Sequence, residues 1–247
     1  MRESLVSVII CTFNSGEITR RAIESVLNSE YANIECIVVD GASKDGTVEI
    51  IKSYEKNPKF RYISEPDTGI YNAMNKGWRM AKGEWIYYLG ADDELLPNAM
   101  SSLIGADERH DARVIYGNIK YRKANGEITI HPHHSHKQLP WKTFACHQGI
   151  IMKRNVIERL GGFDEKLHII ADKDLIIRSY FLQPKCVYVP TDVNVAIFAG
   201  GGASSNLYSS FRENLYIYRK VKPGFKYLLN LFFVYPRLWL KKKLNIL

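Results

Sequence analysis

Cysteine is scarce in this chain: four occur in 247 residues, and no two of them form a CxxC pair. Cys11, Cys36, Cys146 and Cys186 are scattered, and three of them sit in apolar, strand-like runs. Small extracellular domains that depend on disulfides use denser and more regular cysteine spacings. We therefore expect reduced, buried thiols in a cytoplasmic protein.

The chain also lacks the motifs of several common protein classes. Its amino terminus, MRESLVSVIICTFNSG, has an apolar run too short for a secretory signal. No GxGxxG follows that run, so a dinucleotide-dependent oxidoreductase is not expected. The stretch GASKDGT has the glycine spacing of a P-loop, but Thr47 stands where a P-loop requires lysine. No segment is low in complexity, and 46% of the residues are hydrophobic, which is enough for a sizeable core.

Acidic residues are nearly absent from the end of the chain. From Arg212 onwards nine lysines and arginines stand against one acid, Glu213, so this segment accounts for the whole net charge of +8. Phe225 to Leu240 reads FKYLLNLFFVYPRLWL, and three lysines follow. Its polar interruptions make it a poor transmembrane span. We predict a helix on an anionic membrane surface, at the inner face of the cell membrane, rather than a nucleic-acid contact. The alternative is a helix packed on the body or a dimer contact.

What is present, over residues 1–105, is an alternation of apolar strands and amphipathic helices. The predicted strands are Leu5–Cys11, Ile34–Val39, Phe60–Ser64 and Glu84–Leu89. The predicted helices are Glu17–Leu27, one that opens at Asp45, and Gly69–Ala81. Four-residue spacing predicts that Ile70, Met74 and Trp78 share one face of the last helix, and Ile18 belongs to the apolar stripe of the first. This alternation indicates an α/β sheet with parallel strands and helices on both faces.

After about residue 105 the strands become shorter and turns separate them. The pattern predicts strands at Val114–Arg122, Glu127–His131, Gly149–Met152 and Cys186–Val189, and a helix at Ala171–Phe181. We predict one domain over residues 1–205. Residues 1–105 form its nucleotide-binding half, and residues 106–205 form a mixed half that shapes the site of a second substrate. A basic amphipathic helical tail occupies residues 206–247.

Three strand ends carry clusters of small and polar residues. The clusters are Thr12-Phe13-Asn14-Ser15, Asp40-Gly41-Ala42-Ser43 and Gly90-Ala91-Asp92-Asp93. In parallel α/β sheets, ligands bind beyond the carboxyl ends of the strands. Three such clusters at one edge therefore predict a binding site.

The adjacent acids Asp92 and Asp93 are the strongest chemical signal in these clusters. Mg²⁺ and Mn²⁺ take oxygen ligands and often bind through one or two carboxylates plus substrate phosphates. We predict half of a metal–diphosphate site here. The alternative is that one of the two aspartates caps a helix beginning near Leu96-Pro97.

Five stretches in this order make the sequence similar to the family 2 glycosyltransferases of the bacterial surface-polysaccharide type, from Val6 to about Ser205. They read VSVIICTFNSG, IVVDGASKDGT, SEPDTGIYNAMNKG, WIYYLGADDELLP and GGFDEKLHIIADKDLIIR. The resemblance implies the GT-A fold, a Rossmann-like nucleotide-binding α/β sheet joined to a mixed-strand acceptor half. It also implies a transferase that uses a nucleotide-diphospho-sugar, with UDP-sugars favoured, and a divalent cation, Mn²⁺ or Mg²⁺. Transfer would invert the anomeric carbon, and the acceptor would be a hydroxyl of a glycan or of a lipid-linked acceptor in surface polysaccharide biosynthesis.

The same resemblance implies roles for individual residues. The donor-binding residues would be Thr12, Phe13, Asn14, Asp40, Ser43, Asp67, Ala91 and Asp92. Of these, Asp40 would lie near the base or ribose, Asp67 would contact the base, and Asp92 would contact the ribose or the metal. Asp93 would ligate the metal. The family pattern at this loop is Asp-x-Asp-Asp, and Gly90 replaces its first acid.

Two further residues are donor-site candidates from their positions. His147 precedes a predicted strand, and we expect it to touch the diphosphate or the acceptor, with a structural histidine as the alternative. Lys76 lies on the predicted helix that faces the donor, and it either reaches a phosphate or is solvated.

The predicted catalytic base is Asp172. Displacement at a sugar carbon requires that the acceptor hydroxyl lose its proton as it attacks. The family pattern Glu-Asp-x-Asp-Leu has the base at its first aspartate, which matches Asp172, whereas Ala171 replaces the usual glutamate. The alternative for Asp172 is a helix cap. Asp174 is expected to cap or brace the helix.

Two other segments have compositions that suggest a function. The histidine-rich HPHHSH (His131 to His136) lacks zinc spacing with cysteines, so we predict a surface loop. The glycines of FAGGGASSN (Phe198 to Asn206) predict a loop that closes over the bound donor, with a plain linker as the alternative.

Two other functions are weighed against the transferase. A sugar-phosphate nucleotidyltransferase would share the α/β half and the metal, but it would need a basic glycine-rich loop where this chain has TFNSG. A non-catalytic nucleotide-sugar-binding module is the other alternative, because Gly90 and Ala171 depart from the family pattern.

Overall fold

The computed structural model describes residues 4–107, 109, 111–123, 125–139, 143–183, 185–199 and 207–243. In these residues nine strands form one sheet. The strands are β1 (Val6–Thr12), β2 (Ile34–Asp40), β3 (Phe60–Ser64), β4 (Trp85–Gly90), β5 (Glu94–Leu95), β6 (Val114–Arg122), β7 (Ile128–His131), β8 (Ile150–Lys153) and β9 (Tyr188–Phe198). Along the sheet their order is β3-β2-β1-β4-β8-β6-β9-β5, and β7 pairs with β6.

The sheet has a parallel half and a mixed half, as the sequence predicts. β1 pairs in parallel with β2 and β4, and β2 pairs in parallel with β3. β8 then runs antiparallel to both β4 and β6, and β9 is parallel to β6. Because the halves share one continuous sheet, the division near residue 105 is a change of strand direction, and the proposed domain boundaries stay predictions.

Helices cover both faces of the sheet. They are α1 (Glu17–Leu27), α2 (Thr47–Lys52), α3 (Ile70–Met80), α4 (Ala99–Gly105), α5 (Arg154–Arg159), α6 (Ala171–Phe181), α7 (Leu207–Val221) and α8 (Phe225–Lys243). Alternate residues of β1 point to opposite faces. Val8 joins a core with residues of α1, α2 and α4, whereas Ile9 joins a core with residues of α3, α6, α7 and α8. The four cysteines are free thiols.

Two helical stripes differ from the prediction at their first turns. Ile18, the second residue of α1, is 44% exposed, and Ile70, the first residue of α3, is 46% exposed. In α3 the buried residues are Tyr71, Ala73, Asn75 and Gly77, and Met74 and Trp78 are only partly buried. Gly77 permits this close packing, since a Cβ there would lie 2.4 Å from Cγ2 of Ile9.

The tail packs on the body through one face and leaves another exposed. Ile217 and Val221 of α7, with Tyr227 and Leu231 of α8, are buried in the core shared with α3 and α6. Within the described part of the chain, no helix combines the length and apolar character needed to cross a bilayer.

Candidate functional site

The three polar clusters meet at one edge of the sheet. Thr12 at the end of β1 is in register with Asp40 at the end of β2, and Cys11 is in register with Gly90 at the end of β4. Asp40 is in turn in register with Ser64 at the end of β3. The sequence-based prediction that these strand ends share one edge is therefore confirmed.

The loops after β1 and β2 are bonded to each other. The backbone N–H of Asn14 donates to Oγ of Ser43 at 2.7 Å, and Oδ1 of Asn14 accepts from the backbone N–H of Lys44 at 2.9 Å. Asn14 and Ala42 have φ angles of 47° and 64°, in the left-handed region that residues with a side chain seldom adopt. Such backbone strain clusters at ligand sites, and here the bonds between the loops hold it in place.

Asp40 is the centre of this arrangement and is fully buried. Its carboxylate accepts from the side chain and the N–H of Ser43 and, at 2.6 Å, from Oγ of Ser64. The carboxylate therefore organises the loops that line the site. A direct contact between Asp40 and the nucleoside stays a prediction.

Phe13 and Asp67 both lie on the side of Gly41 where a side chain would project. A Cβ at Gly41 would lie 2.7 Å from Oδ2 of Asp67 and 3.1 Å from the Phe13 ring. Phe13 is 63% exposed, so its ring is available to a ligand. Thr12 lies beneath, buried, with its hydroxyl 3.0 Å from that of Thr19.

Lys76 is bound to the loop that follows the end of β3. Its ammonium forms an ion pair with Glu65 at 2.8 Å and donates to the carbonyl of Pro66, also at 2.8 Å. These contacts hold the loop that leads to Asp67. Contact between Lys76 and a phosphate stays a prediction.

Asp92 and Asp93 occupy different environments at the tip of β4. Asp92 is exposed, whereas Asp93 is 1% exposed, and the half-buried Ala91 precedes them. Burial raises the pKa of the Asp93 carboxyl to about 6, and the charge of Asp92 adds to the effect. Oδ1 of Asp93 accepts from the backbone N–H of Ala199 at 2.9 Å, and Oδ2 is buried without a partner.

Helix capping does not explain this pair. α4 begins at Ala99, and its N-cap position is Asn98, so the capping alternative for Asp92 and Asp93 is wrong. Gly90 has a steric role instead: a Cβ there would lie 2.4 Å from Oδ2 of Asp93 and 3.0 Å from Oδ1 of Asp92. The two carboxylates thus occupy the space that a side chain at position 90, where the family pattern has another acid, would need.

The Asp92–Asp93 pair fits a divalent cation that is shared with a ligand. A buried carboxylate oxygen without a partner is costly unless a cation or a donor meets it. Among the described residues no three histidine, cysteine or acidic side chains form a complete metal site. Mg²⁺ commonly binds through one or two carboxylates together with substrate phosphates, which is compatible with this incomplete set.

His147 lies between the tip of β4 and α6. Its ring centroid is 5.4 Å from that of Tyr88 on β4 and 6.1 Å from that of Phe163. Its Nε2 is buried without a partner. Burial lowers the pKa of His147, and the charge of Asp172 opposes that shift. The unpartnered nitrogen is therefore free to meet a ligand group.

Asp172 lies in the first turn of α6 and is held from the side of α3. Ile170 occupies the N-cap position of α6, so the capping alternative for Asp172 is wrong. The Tyr71 hydroxyl donates to the carbonyl of Ile169 at 2.8 Å and contacts Oδ1 of Asp172 at 3.4 Å. Asp174 points into the core and accepts from Nε of Arg178 at 2.6 Å. The bracing role predicted for Asp174 is confirmed.

Sequence reasoning missed three residues that shape the site: Tyr71, Gln148 and Glu213. Tyr71 was missed because the predicted apolar face of its helix consisted of Ile70, Met74 and Trp78. Gln148 follows His147 and accepts from the Tyr87 hydroxyl through its carbonyl at 2.7 Å, and no spacing pointed to it. Glu213 carried a visible signal, because it is the one acid in an otherwise basic segment.

The structure describes all of the histidine-rich segment and only the first two residues of the predicted closing loop. In the histidine-rich segment, Nδ1 of His136 is 3.1 Å from the Tyr116 hydroxyl, and the ring of His133 packs edge-on to Tyr116. These two histidines pack on the body through one side, whereas His131, Pro132 and Ser135 are exposed, so the segment lies at the surface as predicted. The predicted closing loop lies, beyond Phe198 and Ala199, outside the described residues.

Comparison with known proteins gives a consistent result. The model of "Glycosyl transferase family 2" matches residues 7–177. A "PGL/p-HBAD biosynthesis glycosyltransferase" of Mycobacterium bovis (strain BCG / Pasteur 1173P2) is 31% identical over 216 residues, which cover 83% of this chain and 81% of that protein.

Two solved structures are similar in fold. S. aureus TarS 1-349 in complex with UDP-GlcNAc has a TM-score of 0.73 at 16% identity, over 92% of this chain and 69% of that one. The mannosyltransferase PcManGT from Pyrobaculum calidifontis, in complex with GDP-Man and Mn²⁺, has a TM-score of 0.66 at 17% identity, over 96% and 72%. Because a polar edge of this sheet, a sequence-family match and a shared GT-A architecture agree, the chain belongs to glycosyltransferase family 2 and is a glycosyltransferase.

Proposed function

We propose that this enzyme transfers a sugar, with inversion, from a nucleotide-diphospho-sugar to a hydroxyl of a glycan or lipid-linked acceptor in surface polysaccharide biosynthesis. A UDP-sugar is the favoured donor. TarS, which has a similar fold, was solved with UDP-GlcNAc, and PcManGT with GDP-Man and Mn²⁺. The relative from Mycobacterium bovis is named for PGL/p-HBAD biosynthesis.

The observation that carries the proposal is the meeting of two carboxylates from distant parts of the chain. Asp93 follows β4 by three residues and Asp172 is the second residue of α6, yet the charges of both carboxylates raise the pKa of the Cys146 thiol. The pKa of that thiol is raised to about 11, chiefly by burial, and the charges of Asp172 and Asp93 contribute to the rise. His147, the next residue, lies between the tip of β4 and Asp172. One carboxylate is therefore near the proposed diphosphate site and the other is near the proposed acceptor.

Asp172 is proposed to act as the general base. Its carboxylate takes the proton of the acceptor hydroxyl while that oxygen forms a bond to the anomeric carbon. The bond between that carbon and the diphosphate oxygen breaks on the opposite face, and the nucleoside diphosphate leaves. Attack and departure on opposite faces invert the configuration of the carbon.

The strand ends supply the donor site in this proposal. Phe13 offers an exposed ring and Asp67 a carboxylate beside the Gly41 backbone, a suitable pair for a nucleobase. Asp92 and Asp93 would hold Mn²⁺ or Mg²⁺, which would neutralise charge on the departing diphosphate. His147 would contact the diphosphate or the acceptor through Nε2. Thr12, Asn14, Asp40 and Ser43 would build the loops around the nucleoside.

The tail is proposed to bring the enzyme to an anionic membrane surface. Phe225, Phe232, Phe233 and Leu240 recur at seven-residue spacing, lie on one face of α8 and are 67%, 58%, 60% and 50% exposed. α8 also carries five lysines and arginines and no acid. Aromatic residues beside cations favour the interface of an anionic bilayer, where a lipid-linked acceptor would be found.

The test compares donor binding with turnover in Asp172→Asn. Asn keeps the shape of the side chain but cannot take the proton, so we expect turnover to fall by about a factor of 10³, within the range known for general bases. Donor binding should be unchanged, because Asp172 lies on the acceptor side. Binding is measured as the rise in melting temperature with UDP-sugars and Mn²⁺, since a ligand of the folded state stabilises it by mass action.

The matched control is Asp111→Asn, which removes an exposed carboxylate distant in sequence from the proposed site. It should leave both measurements unchanged. Near-normal turnover in Asp172→Asn would remove that residue from the role of base. Absence of any stabilisation by nucleotide-sugars with Mn²⁺ would remove the proposed donor class.

A further inference from the structure

Three backbone N–H groups just before α6 are bound by a side chain from the tail. The carboxylate of Glu213, on α7, accepts from the N–H groups of His168, Ile169 and Ile170 at 2.8, 3.1 and 3.0 Å. Asp172 follows two residues after the last of them. Glu213, the only acid from Arg212 onwards, is thus hydrogen-bonded to the segment that leads to Asp172.

The start of α6 needs such an external partner. The N-cap position is best filled by Ser, Thr, Asp or Asn, whose side chains accept N–H groups of the first turn. Here the N-cap is Ile170, which has no polar side chain, and no side-chain cap bond forms. A carboxylate at this place also suits the positive end of the helix dipole. Glu213 therefore binds, from another helix, the N–H groups that lead into this uncapped turn.

A second contact joins the same turn of α6 to the tail. Nζ of Lys173 donates to Oδ1 of Asn214 at 2.7 Å, and the Tyr227 hydroxyl of α8 donates to the same oxygen at 2.6 Å. Asn214 is 1% exposed, so this junction is buried. Residues on both sides of Asp172 in sequence are therefore fixed to α7, and Tyr71 of α3 holds the carbonyl of Ile169 from the opposite side.

We propose that Glu213 is a positioning residue for turnover, which sets the placement of Asp172 by anchoring residues 168–170. The inference rests on the proposed function, in which Asp172 is the base. It assigns the tail a part in the chemistry that is separate from membrane attachment.

The experiment compares Glu213→Gln with Glu35→Gln. Glu35 is a matched control: it is 7% exposed, and it accepts from Oγ of Ser7 at 2.6 Å and from the N–H of Lys82 at 2.7 Å. It lies at the opposite end of β2 from Asp40, beyond reach of the site. Glu35 is buried and Glu213 is half-buried, and both variants lose a carboxylate that accepts from backbone N–H groups, so both should lower the melting temperature.

Only Glu213→Gln should lower kcat, by about tenfold to a hundredfold, the range expected when a catalytic group is misplaced by about an ångström. The donor KM should be unchanged, and Glu213→Asp, which keeps the charge, should recover part of the loss. In the Asp172→Asn background, Glu213→Gln should cause no further loss, because a positioning residue acts only through the group it positions.

Three results would overturn the inference: a kcat no lower in Glu213→Gln than in Glu35→Gln, a loss that appears in the donor KM alone, or an equal loss in the Asp172→Asn background. Hydrogen exchange at residues 168–170 gives a reading that needs no turnover. Exchange should be faster in Glu213→Gln, or in Glu213→Asp if the first variant fails to fold, and unchanged exchange would contradict the anchoring. If Asp172→Asn itself keeps normal turnover, the base assignment fails, whereas faster exchange in Glu213→Gln would still establish the anchor.

Discussion

At the scale of single residues, Asp93 carries the clearest conflict between stability and function. One carboxylate oxygen is bonded to the N–H of Ala199 and the other is buried without a partner. A side chain selected for stability alone would not be left in that state. The unpaired oxygen is explained if a ligand binds to it. Without that ligand, the protein should be less stable than a variant that has no charge at this position.

We predict that Asp93→Asn stabilises the metal-free enzyme at pH 7.5. The pKa of Asp93 rises from 3.8 to about 6 on folding, so its ionised form destabilises the fold. The protonated carboxyl does not carry this cost. The stability that protonation of Asp93 contributes is therefore fully present below pH 3.8 and is lost as the pH rises through about 6. The difference between the two pKa values corresponds to about 3 kcal/mol. Urea unfolding in EDTA should show a gain of up to that size.

The same variant should lose the rise in melting temperature that Mn²⁺ and a UDP-sugar produce together. Asp111→Asn is again the control, because an exposed carboxylate should affect neither measurement. A less stable Asp93→Asn, or one that keeps the Mn²⁺-dependent rise, would contradict the prediction.

At the scale of secondary-structure elements, α6 is the helix on which the site depends. Its outer end carries Asp172, and its buried side holds the Asp174–Arg178 pair. Arg178 also donates to the carbonyls of Leu160 and Gly162, each at 2.7 Å. The arginine therefore joins α6 to the glycine turn that precedes Phe163, which packs against Tyr71 and His147.

We predict that Arg178→Met destabilises the protein by about 3 kcal/mol, because it leaves the buried carboxylate of Asp174 with an incomplete set of partners. Lys220, 3.4 Å away, compensates only in part, since it is closer to Asp164 at 2.6 Å. Urea unfolding measures the loss. Arg20→Met removes an exposed pair with Glu17 and should cost far less. Equal losses of unfolding free energy in the two variants would show that the buried pair stabilises the protein no more than the exposed pair does.

At the scale of the whole molecule, charge and apolar surface are concentrated in the tail. α8 has two faces: Tyr227, Leu231 and Tyr235 pack inward, and the exposed apolar residues point away from the body. The packed alternative and the membrane alternative for this segment are therefore compatible with each other. A helix fixed on one side can present its other side to a bilayer.

We predict that replacing Phe232 and Phe233 with serine lowers binding to anionic phosphatidylglycerol vesicles by about tenfold, as expected for two rings that enter the interface only in part. Co-sedimentation at low salt measures binding, and phosphatidylcholine vesicles should retain little protein. Ile128→Ser with Ile130→Ser is the matched control, since these side chains are 48% and 58% exposed on β7. Equal binding by both double variants would refute the membrane-facing role of α8.

Although it missed β5 and α5, the sequence by itself determined the bounds of β1 to β4, β6 to β8, α1, α3 and α6 to within one residue, and also the three polar strand ends. These features are local: an apolar run that stops at Asp40 or Gly90 is visible without knowledge of its neighbours, and parallel connections bring such ends to one edge. The departure at Gly90 was also visible, although its reason, the space needed by Asp93, was not.

Only the tertiary structure decided which groups meet across the chain. Three features depend on partners far away in sequence. They are the burial of Tyr71 in place of Ile70, the full length of β9, and the hydrogen bonds of Glu213 to residues 168–170. Periodicity states which side chains of a helix share a face, but packing chooses the face that is buried. The sequence thus revealed the chemistry at the strand ends, and long-range packing determined how α6 and the tail are placed against it.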